Sequence, residues 1–188
     1  MTAILLLAGL AFPAAWYFWR EHKINTPSLQ WPAMKSVLGL AYEANPPRLG
    51  GAWNGRKVAL ESLEGAVTVT AWLNAETRLR VECGPTELVT KRAGMLVPDA
   101  VAATEPAFRD KLLARCSDKA AGLLVFDSTM QQRLADLPAV DFIGEQFRVV
   151  WNIPVARDVN ETEALLGALC AVADGLESFP NSGAKPNA

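Results

Sequence analysis

The sequence predicts an α+β protein: an antiparallel β-meander packed against helices, tethered by an N-terminal membrane-spanning helix. Three observations carry that reading. The chain opens on 18 uncharged positions, Thr2 to Trp19. Between about Lys57 and Cys83 apolar residues recur at every second position, the period of a half-buried strand. Near the C-terminus Leu165, Leu166, Leu169, Val172, Ala173 and Leu176 recur at helical spacing.

The opening segment, MTAILLLAGLAFPAAWYFWREHK, is apolar on every face. At about 1.5 Å per residue its uncharged run spans roughly 27 Å, close to the hydrocarbon thickness of a bilayer. Trp16, Tyr17, Phe18 and Trp19 crowd its end, and Arg20 and Lys23 follow. Amphipathic rings collect at headgroup depth and cations mark the aqueous side, so Trp16, Tyr17, Trp19, Arg20 and Lys23 are the expected membrane-interface residues. No basic n-region precedes the run, and its best small-residue site is followed by four bulky rings, which argues against a cleaved signal. The cations on the C-terminal side place the N-terminus outside and the domain in the cytoplasm, at a bacterial inner membrane.

The expected organisation is an anchor over residues 1–20, a juxtamembrane linker and short helix over 21–40, one α+β domain over 41–179, and a flexible tail over 180–188. About 150 residues beyond the anchor suffice for a single domain with its own core. Pro27 and Pro32 read as linker breaks, with a helix over Ala33 to Leu40 presenting Met34, Val37 and Leu38. Trp31 and His22 are the candidate contacts to a partner. RLGGAWNGRKV reads as a hairpin turn needing positive φ, because no G-K-[ST] follows the glycines. Val67, Val69 and Ala71, then Leu79, Val81 and Cys83, face the core from two strands, and Glu87 to Thr90 is a possible further strand. PAFRDKLLARC reads as a helix with Phe108, Leu112, Leu113 and Cys116 inward, GLLVF as a strand or helix entry, and DSTMQQRLADL as a helix capped by Asp127 or Ser128. EQFRVVWNIPV is a late strand with Phe147, Val149 and Trp151 on one side, and the final helix starts near Thr162.

The composition excludes several functions. The net charge of -2 rules out an electrostatic nucleic-acid binder. Residues 20–95 hold ten Lys or Arg against seven Asp or Glu, and residues 96–188 eight against thirteen. Such a split suits a basic face toward anionic headgroups, or reflects an uneven scatter of surface charge. Cys83, Cys116 and Cys170 form no C-x-x-C, so neither a zinc site nor a redox motif is expected, and each falls in an apolar segment. His22 is the only histidine, which removes Ser-His and Cys-His dyads from the domain. No cofactor, metal site or catalytic constellation is expected.

RLGGAWNGRKV, PAFRDKLLARC, STMQQRLADL and ALLGALCAVADGL, taken together over residues 38–178, resemble small single-pass membrane-anchored bacterial proteins of unassigned function. The resemblance implies the architecture, a glycine-turn meander leading to a terminal helix, and no catalytic residues. The expected function is a non-catalytic accessory subunit of a larger integral-membrane complex, with respiratory and photosynthetic electron-transfer assemblies as first hosts to test. Its expected partners are the bilayer and that complex. Two alternatives compete. A tethered enzyme would need Arg78, Arg80 and Glu82, or Asp141 and Glu145, to converge in a pocket. A lipid- or ligand-binding module would need an apolar cavity of several hundred Å³.

Overall fold

A computed structural model describes residue 13 and residues 15–23, 25–63, 66–92, 99–154 and 158–181. The predicted span over residues 1–20 lies largely outside the described residues, as do residues 182–188 of the tail. Among the described residues no helix is long and apolar enough to cross a membrane.

Among the described residues seven antiparallel strands form the sheet: β1 (Ala41–Ala44), β2 (Pro47–Trp53), β3 (Arg56–Leu63), β4 (Ala66–Pro85), β5 (Asp99–Ala100), β6 (Leu112–Cys116) and β7 (Phe142–Ile153). The β-meander is therefore present, as expected. Asn54 and Gly55, both at positive φ (50° and 79°), close the β2–β3 hairpin. Two successive left-handed residues match the twist of the flanking strands, and Asn-Gly adopts that geometry at the least cost.

β4 organises the sheet. Its first half pairs with β3 (Val58↔Ala71, Leu60↔Val69) and its last residues with β6 (Cys83↔Ala114), while β7 runs along its other edge from Val67↔Ile153 to Cys83↔Phe142. The β4–β7 register breaks between Trp72 and Thr77 and again between Thr77 and Arg80. Opposite that break, Gln146 sits at φ 53°. The ribbon bends there and folds back on itself. Phe142 and Trp151 would be about 30 Å apart on a straight strand. Their ring centroids are 4.8 Å apart, and the Asn152 N–H donates to the Asp141 carbonyl over 2.8 Å. The two ends of the ribbon therefore meet.

Among the described residues the helices packed with this sheet are α1 (Pro27–Leu38), α2 (Thr86–Lys91), α3 (Pro106–Lys111), α4 (Lys119–Val125), α5 (Ser128–Ala135) and α6 (Val159–Glu177). The apolar stripe of α6 is buried along its length, with Leu166, Leu169, Val172 and Leu176 fully enclosed against the sheet. Asp158 caps it by accepting from the Glu161 N–H. Gly144 lets α6 approach β7: a Cβ there would lie 2.7 Å from Leu176 Cδ1.

Several elements differ from the sequence-based expectation. The first helix begins at Pro27 rather than Ala33, since a proline at the first helical position forgoes only an N–H that has no intrahelical partner. Pro32 lies inside it, and Val37 is exposed. Residues 86–91 are helical rather than extended. The helix at Pro106 stops at Lys111, and Leu112–Cys116 is a strand burying Leu112, Ala114 and Cys116. GLLVF resolves as the end of helix α4. Phe147 is exposed at the ribbon bend, whereas Val149 and Trp151 are buried.

Candidate functional site

The residues expected at a membrane interface occupy a helical stretch over 15–23. Trp16, Tyr17, Phe18 and Trp19 are all more than half exposed, at 55–71%. Trp16 and Trp19 touch at 5.4 Å between centroids, and the Lys23 ammonium lies 5.5 Å from the Trp19 ring centre. Arg20 and Lys23 are exposed. A cation over an indole keeps its charge available while its stem covers apolar surface. His22 is exposed, with Nδ1 3.4 Å from Thr26 Oγ1.

Trp31 corrects an expectation. It is only 2% exposed and packs with Met34 and Leu38 in the domain core, so its ring is not a surface for a partner. The helix face that would present Trp31 outward is the one that docks on the domain.

A second constellation joins the β2–β3 hairpin to α6. Arg56 sits at a core-facing register position, 5% exposed. Its guanidinium donates to the Glu177 carboxylate at 2.7 and 3.0 Å, to Asp174 at 2.5 Å and to the Trp72 carbonyl at 2.8 Å. The Asn74 N–H adds a 2.5 Å bond to Glu177. Hydrogen bonding to Glu177, opposed by burial, raises the Arg56 pKa, and hydrogen bonding from Arg56 lowers that of Glu177. This fork lines a polar cleft of about 460 Å³ with Trp53, Asn74, Arg133 and Cys170. Every donor that the fork directs toward α6 is taken by a carboxylate, so its chemistry is that of a clamp.

The polar residues that an enzyme would need are brought together only in part. Arg80 pairs with Glu145 at 3.0 Å and Arg78 with Asp118 at 3.2 Å, as separate surface pairs. Glu82 is completely buried between Arg115 at 3.6 Å and Arg92 at 3.9 Å, and neither carboxylate oxygen has a hydrogen-bond partner among the described residues. Arg92 also pairs with Asp141. Four charges from four segments thus meet at one end of the sheet, with Glu82 fully buried beneath the half-buried Arg92, Arg115 and Asp141. Burial pushes the neighbouring Cys83 thiol up, and likewise those of Cys116 and Cys170, so the three buried cysteines are unreactive thiols rather than nucleophiles. Among the described residues no group of three or more His, Cys, Asp or Glu could hold a metal ion.

Beside this cluster, where the ribbon ends meet, lies an apolar groove of about 540 Å³. Leu88, Leu112, Leu137 and Ile153 are among its walls, with Lys111, Asp141 and Asn152 as its polar members. The sequence reading did not find it, because its walls come from five segments that only the bend of β4 and β7 assembles. The one local signal was the apolar-proline run Leu137, Pro138, Ala139 and Val140.

Comparison with known proteins places the architecture. No family model matches the chain, and no curated protein matches it. Among solved structures it is similar to the crystal structure of the mycobacterial trehalose monomycolate transport factor A, with a TM-score of 0.67 at 14% identity. The match covers 84% of this chain and 98% of that one, and at this identity what the two share is the fold.

Proposed function

We propose that the chain is a non-catalytic accessory subunit, held at a bacterial inner membrane by its N-terminal segment and docked against a larger integral-membrane assembly. The observation that carries the reading is the exposed aromatic run Trp16 to Trp19, ending in Arg20 and Lys23, directly after an opening with no charge. Four large rings left in water at one helical stretch need a cover, and the headgroup region of a bilayer supplies it. The cations then keep the domain on the cytoplasmic side. The ion pairs within the domain support a scaffold rather than a catalyst, since their charges are spent on one another.

Affinity purification of the full-length chain from membranes solubilised in mild detergent, followed by mass spectrometry, tests the reading. Stoichiometric recovery of one integral-membrane complex is expected. Recovery of the chain alone would refute an accessory role. A reporter fused after Ala188 should be active only in the cytoplasm.

A further inference from the structure

We propose that the apolar groove at the ribbon seam holds one acyl chain of an anionic membrane lipid, with Lys111 beside the headgroup. The proposal rests on the membrane position argued above and adds a ligand to it.

The choice of occupant comes from the polar inventory of the walls. Asp141 is neutralised by Arg92, and the Asn152 side chain already accepts from Thr68 Oγ1 at 3.2 Å. The strand edge at Asn152 is closed by the 2.8 Å bond from its N–H to the Asp141 carbonyl. A peptide laid in the groove would bring a backbone donor and acceptor at every residue to a lining whose polar side chains are only Lys111, Asp141 and Asn152, and each group left unpaired would carry a desolvation cost. A hydrocarbon chain brings none. The volume of about 540 Å³ lies within the range of small-ligand sites. Lys111 is the single charged residue of the lining without an ion pair among the described residues, and it adjoins Leu112 of the wall. One free cation at the rim of an apolar slot complements an amphiphile with one anionic head. The cluster of buried Glu82 with half-buried Arg92, Arg115 and Asp141 adjoins the wall and pins the end of α2, and Leu88 of α2 contributes to the lining.

The full-length chain is reconstituted into phosphatidylcholine vesicles doped with phosphatidylglycerol bearing a diazirine midway along one acyl chain. After irradiation, labelled peptides are mapped by mass spectrometry. Labelling is expected at Leu88, Leu112, Leu137 or Ile153, in addition to the N-terminal segment. The same diazirine on phosphatidylcholine should label the groove less. Lys111→Gln should reduce groove labelling about fivefold, the weight of one cation near an anionic surface. Leu137→Trp, which fills the slot, should abolish it. Lys111 is exposed, so its substitution leaves the thermal melt unchanged and keeps the result readable if Leu137→Trp fails to fold. Label confined to residues 1–23 would overturn the groove while leaving the anchor intact. Failure of the chain to associate with vesicles would overturn both. A dimer that shields the groove without lipid would assign it to a second copy and overturn the proposal.

Discussion

Arg56 illustrates how one residue can lock distant parts of the chain. It lies 121 positions from Glu177, yet the two form a two-pronged ion pair with Arg56 almost fully enclosed. Removing one partner of such a pair costs more than the pair contributes, because the other charge stays desolvated. Arg56→Leu should therefore destabilise the domain by about 2–3 kcal/mol in urea unfolding at neutral pH, moderated because Asp174 is exposed and rehydrates. The acid response follows from Glu177. Its folded pKa lies below the ordinary value of 4.5, first because Arg56 bonds to the ionised form, with burial opposing and Asn74 assisting. A depressed carboxyl pKa stabilises fully above the unfolded value, and that stability is lost as pH falls through the folded one. Glu177→Gln should thus be less stable than the parent at about pH 7 and approach it below about pH 4. The raised Arg56 pKa leaves that arginine charged throughout this window, so it adds no slope of its own. A constant gap at all pH values would contradict the assignment. The sequence held one clue to Arg56: in the alternation with Val58 and Leu60 it falls on the core face, where an arginine demands a partner.

At the scale of elements, the bend of the β4–β7 ribbon decides most of the architecture, and it was the least legible feature. The alternation of Val67, Val69 and Ala71 and of Leu79, Val81 and Cys83 marked strand on both sides of the bend. Nothing in that period shows that both belong to one 20-residue strand with a register break between them. The misread segment at Leu112 has a similar origin. Leu112, Leu113 and Cys116 satisfy helical spacing, while Leu112, Ala114 and Cys116 satisfy alternation. Pairing with β4 decides for the strand. By contrast the long apolar stripe of α6 and the glycine turn at Asn54–Gly55 were readable, because local geometry alone specifies them, although the helix begins at Val159 behind an Asp158 cap rather than near Thr162. The bend makes its own prediction at Gln146. A left-handed conformation costs a residue with a Cβ about 1 kcal/mol, and a β-branched one more. Gln146→Gly should be neutral or slightly stabilising, and Gln146→Val should lose about 1–2 kcal/mol in thermal or urea unfolding. Equal behaviour of the two would mean that backbone strain at this corner is unimportant.

For the whole molecule, the uneven charge of the two halves turns out to be used internally. Arg56 with Asp174 and Glu177, Arg78 with Asp118, Arg80 with Glu145, and Arg92 with Asp141 all join the basic first half to the acidic second. What sequence composition suggested as two faces serves largely as stitching, because the meander and α6 are far apart in sequence and adjacent in space. The same packing separates the N-terminal segment from the folded body. Trp16 to Trp19 lie exposed, whereas Trp31, Met34, Leu38 and Leu40 are core residues. Two truncations should therefore behave differently. Removing residues 1–23 takes away only the aromatic–cationic segment and the uncharged opening, so membrane association should be lost with the melting temperature unchanged. Removing residues 1–40 also strips four buried side chains worth about 1.5–3 kcal/mol each, comparable with the entire margin of about 5–15 kcal/mol that holds a domain folded. That shorter chain should aggregate or melt near ambient temperature. Fractionation and calorimetry of the pair check this. Persistent pelleting of the first truncation with membranes would shift the attachment onto the domain itself, where the seam groove and its lysine are the next place to look.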